Sequence, residues 1–185
     1  MGTYRQTYAY SCGAVAARNL IAGYVETNSY GTVPSENDLM TALGTTREGT
    51  AFGSNWPKGI NQYITGQYYT VTWGSNYPDW KTAMATKIMY TINNLSSQMV
   101  YIDGRYQVKS FVGFNVIADM YYTTSITNPI DPIYKSKAAH YICIYGYDDK
   151  VSKYNVVDSN GKAPLQYTAF YQSVADATKE RGIIW

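Results

Sequence analysis

The chain has 185 residues, with 15 Lys and Arg against 13 Asp and Glu, and charged residues make up only 15 % of it. That length suits a single domain over 1–185 with a proper core. The near-neutral balance, with no dense run of either sign, excludes nucleic-acid binding through phosphate neutralisation. No apolar run is long enough to span a bilayer. Two cysteines and one histidine do not make a zinc site, so neither metal nor cofactor is expected. The weakly charged surface, rich in Tyr, Thr, Asn, Ser and Gly, fits an extracytoplasmic or secreted protein, a reading under which Met1-Gly2-Thr3 would replace a removed leader, and the compartment stays open.

Taken in order, the first predicted helix covers 12–22, with Ser11 as its cap and Gly23 as its left-handed C′ residue. A polar loop, 24–34, leads to a second helix over 36–43. Ser35 caps it, Glu36 and Asp38 suit its first turn, and Gly44 ends it. Residues 45–54 have no period and read as a loop. Pro57 opens a third helix to about Ile64, ended by Gly66. Gln67–Trp73 is β-branched and aromatic and predicts a strand. Asp79 caps a longer helix over 80–95, with Met84, Ile88, Ile92 and Leu95 at helical spacing. Strands follow at 99–102 and 114–122, then a Pro-containing loop over 123–137. His140–Tyr147 is the best strand in the chain. A turn at Asp148-Asp149 makes a hairpin of it with 153–158, and a helix over 168–180 precedes the closing GIIW. Helices first and strands later predict α+β: a helical lobe over about 1–66 and a β-rich lobe over about 67–185.

Chemistry is suggested first by Cys12. A thiol at a helix start feels the positive end of the macrodipole and unpaired N–H groups. Both favour the nucleophilic thiolate. A lone cysteine in a helix is more often simply buried, so its neighbours decide. Gln6, six residues upstream, carries an amide able to donate to an oxyanion beside Cys12. The single histidine, His140, opens the best strand. Alternation puts His140, Ile142 and Ile144 on one face and Tyr141, Cys143 and Tyr145 on the other. Cys143 is therefore turned away, and Cys12 is the cysteine left to meet the imidazole. At the far end of the hairpin, Asp158 returns beside His140, where a carboxylate would orient the ring. Asp158 also suits a plain turn before Ser-Asn-Gly. Asp148 and Asp149 sit at the hairpin tip, far from His140, and read as turn residues.

Three stretches, Q-x-x-x-x-x-C-G-A at Gln6–Ala14, A-H-Y-I-C-I-Y-G-Y-D at 139–148 and V-V-D-S-N-G at 156–161, resemble the papain-like cysteine peptidases. Among these the chain is most similar to the bacterial bacteriocin-processing, double-glycine-type peptidases and their stand-alone relatives. The resemblance extends to P-S-E-N-D-L-M, Gly44-Thr45, Gly49-Thr50, Asn61-Gln62-Tyr63 and N-V-I-A-D. It implies Cys12 as nucleophile, His140 as base, Asp158 as orienter and Gln6 as oxyanion donor, acting on a peptide or protein substrate held between a helical and a β lobe. Family members often have Asp-Pro where this chain has Asp158-Ser159. Other acceptors stay open: transglutaminase-like acyl transfer, or cell-wall endopeptidase action, uses a similar Cys-His-Asp order. With 21 tyrosines, a non-catalytic peptide- or glycan-binding module is a third reading.

Overall fold

The computed structural model describes residues 3–29, 31–64, 69–93, 95–102, 105–112, 116–122 and 138–185. The predicted loop over 123–137 lies outside them, as do Gly66, Gln67, Tyr68, Phe114 and Asn115. The first helix, α1 (Cys12–Asn28), runs past Gly23. Leu20, Ile21 and Tyr24 are all buried there, so packing overrides the glycine as a stop. The left-handed residue that ends α1 is Ser29, φ 51°. Helix α2 (Glu36–Leu43) starts at a capping box made by Ser35 and Asp38 and ends at Gly44 in the left-handed conformation, as its sequence predicts. Helix α3 (Asn55–Asn61) begins two residues before Pro57 and stops short of Ile64.

The strands are β1 (Val71–Trp73), β2 (Leu95–Ile102), β3 (Arg105–Val112), β4 (Val116–Tyr122), β5 (Ala138–Asp148), β6 (Lys153–Val157), β7 (Gln166–Phe170) and β8 (Gly182–Ile184). Helix α4 (Trp80–Asn93) is capped by Asp79, whose carboxylate accepts from Thr82 N at 3.2 Å. Leu95, predicted on that helix, instead opens β2. The predicted helix over 168–180 is a correction of the same kind. Its first three residues, 168–170, lie in β7, which pairs with β6 from Lys153↔Phe170 to Val157↔Gln166, and the helix, α5, is only Tyr171–Thr178. Tyr167, Thr168 and Phe170 fit a pleated surface better than a helix, and an available strand edge decides the matter.

Among the described residues, β2 and β3 form a separate antiparallel pair, and the other six strands make one sheet ordered β1-β8-β4-β5-β6-β7. The pairings are antiparallel, which with the helices makes the chain α+β. Alternation sorts the central strands cleanly onto two faces. Ile117, Tyr141, Cys143, Val157 and Ile184 pack with α1, α2 and α3. Ala118, Ile142, Ile144, Val156 and Ile183 pack with α4 and α5. The helical lobe therefore lies on one face of the sheet, and the later helices close the other. A register shift between Ile144 and Gly146 interrupts the β5–β6 pairing. Beyond it Tyr145 packs on the α1 side and Tyr147 on the α5 side. No helix among the described residues is long and apolar enough to cross a membrane.

Candidate active site

Pairing between β5 and β6 runs from Asp148↔Lys153 to Cys143↔Val157 and goes no further. Just beyond that last pair, His140 on one strand and Asp158 after the other stand face to face. His140 Nε2 lies 2.7 Å from Asp158 Oδ1, with the two residues 4 % and 0 % exposed. Burying such a pair is costly unless the remaining lone pairs are used. Here Asn160 N donates to Asp158 Oδ1 at 2.8 Å and the Tyr167 hydroxyl to Oδ2 at 3.2 Å. Asp158 is thus both a turn residue and the imidazole's partner.

The Cys12 thiol acts on the same ring, where it is one of the groups that raise the imidazole's pKa. With Nε2 taken by Asp158, Nδ1 is the ring nitrogen left for sulfur. Burial pulls the His140 pKa down, but the bonds from Asp158 and Cys12 and their charges outweigh it and raise the pKa from 6.5 to about 9. The imidazole therefore holds a proton at neutral pH. Cys143 is fully buried in the core beneath α1, and neither cysteine is in a disulfide. Among the described residues, no group of three or more His, Cys, Asp or Glu side chains is placed to hold a metal.

Gln6 is tied to the residue after Asp158. Its N–H donates to Ser159 O at 3.1 Å, and Ser159 Oγ donates to Gln6 Oε1 at 2.9 Å. These two bonds fix the amide so that Nε2 faces the turn before Cys12, where it donates to Tyr8 O at 2.9 Å. One of its two N–H bonds is used there. At Cys12 the backbone N–H is in the first position of α1 and has no intrahelical acceptor. All four residues singled out in the sequence, Gln6, Cys12, His140 and Asp158, therefore belong to one connected assembly.

Ser11 is a correction. It precedes α1 but makes no side-chain cap. Its hydroxyl donates instead to Glu36 Oε1 at 2.5 Å and lies 2.9 Å from Tyr8 O. Glu36, read in the sequence only as a helix-start carboxylate, also accepts from Thr7 N at 3.0 Å and Thr7 Oγ1 at 2.7 Å. The N-terminal segment is stitched down elsewhere too. Tyr4 N donates to Asn19 Oδ1 at 2.7 Å, and the Arg18 guanidinium lies 3.8 Å over the Tyr4 ring. Arg5 Nη1 donates to Ala163 O at 2.8 Å and also to Asn160 O.

Gly13 explains part of the C-G-A motif. A Cβ there would come within 2.5 Å of Thr50 Oγ1, so only glycine lets the loop over 45–54 lie against the start of α1. Tyr141 OH donates to Thr50 O at 2.9 Å and pins that loop to β5. Glu36, Ser159, Tyr167 and Arg5 were not singled out in the sequence. The Ser-Glu pair at the start of α2 was the available signal for Glu36, but it reads equally as ordinary dipole compensation.

No protein-family profile matches this sequence, and no curated protein matches it.

Proposed function

We propose that the chain is a cysteine peptidase with a papain-like fold. The observation that carries this reading is the buried His140–Asp158 pair at 2.7 Å with the Cys12 thiol on the same imidazole. Held by Asp158, the imidazole is the base that takes the thiol proton in this reading. The result is a thiolate–imidazolium pair at the head of α1, where the helix dipole favours the anion.

In this mechanism the thiolate attacks a peptide carbonyl carbon. The negative charge that develops on oxygen is met by the Cys12 N–H and the Gln6 amide, a donor of this kind being worth about 3 kcal/mol. His140 then gives its proton to the leaving amine, which departs as the C–N bond breaks and leaves a thioester on Cys12. Water, deprotonated by the neutral His140, hydrolyses the thioester and restores the thiol. Asp158 holds the ring orientation throughout and stabilises the imidazolium.

Cleavage profiling against a diverse peptide library, with Cys12→Ala as control, tests the proposal. Cleavage by the native chain and none by the variant is the expected result. Cleavage retained by Cys12→Ala, or absent from both, would sink it. An amine acceptor added to the same assay shows whether water or amine resolves the thioester.

A further inference from the structure

Glu36 stands where α2 begins, fixed by the Ser35–Asp38 capping box just outside it. It is 9 % exposed, and the bonds it accepts come from one stretch of chain. Thr7 N and Ser11 Oγ reach Oε1 at 3.0 and 2.5 Å, and Thr7 Oγ1 reaches Oε2 at 2.7 Å. Tyr8 N donates to the same Ser11 hydroxyl at 3.3 Å. That stretch has Gln6 at one end and Cys12 at the other. Between them the Tyr8 carbonyl receives Gln6 Nε2 at 2.9 Å and Ser11 N at 3.2 Å. An ionised carboxylate is the one side chain with two acceptor oxygens and no donor, so it can gather these three donors where an amide or hydroxyl cannot.

From this arrangement we propose that Glu36 is a positioning residue for the oxyanion site: it holds the Thr7–Ser11 turn so that the Gln6 amide and the Cys12 N–H converge. The inference rests on the peptidase reading given above. Burial pushes the Glu36 pKa up, but the bonds from Ser11, Thr7 and Tyr8 outweigh it and hold the carboxyl below its ordinary value. The clamp therefore stays ionised into mildly acidic solution.

The test combines Glu36→Gln, Gln6→Ala and the double variant. A glutamine at 36 keeps one acceptor oxygen and turns an NH2 group toward donors, so the turn loosens while the shape is kept. Alone, Gln6→Ala lowers kcat by about 100-fold, and Glu36→Gln lowers it by about tenfold with KM within about twofold. In the double variant, Gln6→Ala costs about tenfold less than in the native background, because the donor it removes is already misplaced. Iodoacetamide alkylation of Cys12, which needs no oxyanion site, stays within about twofold of native in Glu36→Gln. Strictly additive losses in kcat, an unchanged kcat, or alkylation falling in parallel with turnover would overturn the proposal.

A separate readout keeps this distinct from failure of the peptidase reading. In a 15N-labelled sample, the Gln6 side-chain amide, assigned by its absence in Gln6→Ala, should move to the position of a free glutamine in Glu36→Gln. If the native chain cleaves nothing and Cys12 alkylates no faster than a free thiol, the peptidase reading fails. The amide signal alone then decides whether Glu36 positions Gln6, and an unmoved signal overturns the inference.

Discussion

The two walls of the site are built on different physics. On the sheet side, His140 and Asp158 are delivered by a hairpin whose backbone ladder fixes where both strands end. On the helical side, Cys12 opens α1, and the segment from Gln6 that leads to it is held by one backbone bond to Ser159 and otherwise largely by side chains. Glu36 lies 25 residues past Ser11, and Ser159 lies 153 past Gln6. A ladder tolerates loss of one side chain, because the neighbouring backbone bonds keep the register. A segment tied by single side-chain bonds does not, since each bond removed frees the chain up to the next tie. His140 and Asp158 should thus keep their geometry through surface changes that disturb the placement of Gln6 and Cys12.

The largest expected effect tests the helical wall at its end. Cys12→Ala should reduce peptide cleavage by at least about 10⁴-fold, with thermal unfolding close to native since the thiol fills little volume. Next comes the sheet wall. Asp158→Asn should lower kcat by about 10³- to 10⁴-fold, and it should also move the alkaline limb of kcat/KM down from about 9. The direction follows because the Asp158 bond and charge raise the His140 pKa, so removing them lets the ring lose its proton earlier. An unmoved limb would mean that the pair does not govern the imidazole.

Stability against pH separates the walls further. The folded-state pKa of His140 lies above its ordinary 6.5, at about 9. The stability this pair contributes is therefore fully present below pH 6.5 and is lost as pH rises through 9, an effect on the order of 3 kcal/mol. Urea unfolding of native protein and His140→Gln at pH 6 and pH 9.5 reads it: the gap between the two proteins should narrow at the higher pH. Smaller again is Gly13→Ala, expected to cost about 1–3 kcal/mol as the new methyl forces Thr50 aside. Smallest is Cys143→Ala, about 1 kcal/mol from a small void under α1, with Cys12 alkylation unchanged.

Legibility in the sequence followed the same division. Strict alternation along Tyr141–Ile144 separates the two packed faces, and a hairpin by its nature returns Asp158 to His140. Those rules are local, so the sheet wall could be read residue by residue. Ser35 and Gly44 were legible for the same reason, as cap and stop of one short helix. The ties of the helical wall join residues with no sequence relation, and nothing in P-S-E-N-D marks Glu36 as the acceptor for a turn near residue 8. Gly23 and residues 168–170 failed differently. There a local preference was overruled, in the first by burial of the last turns of α1 and in the second by the free edge of β6.

The central claim is that Cys12 and His140 form one ionised pair, and the rate of Cys12 alkylation by iodoacetamide tests it most directly. The measurement is made by mass spectrometry on the intact chain between pH 5 and 9, with buried Cys143 as internal control. The expected result is Cys12 reacting at pH 7 faster than a free thiol, Cys143 staying unmodified, and the advantage disappearing in His140→Ala. Alkylation of Cys12 no faster than a free thiol, or unchanged in His140→Ala, would contradict it.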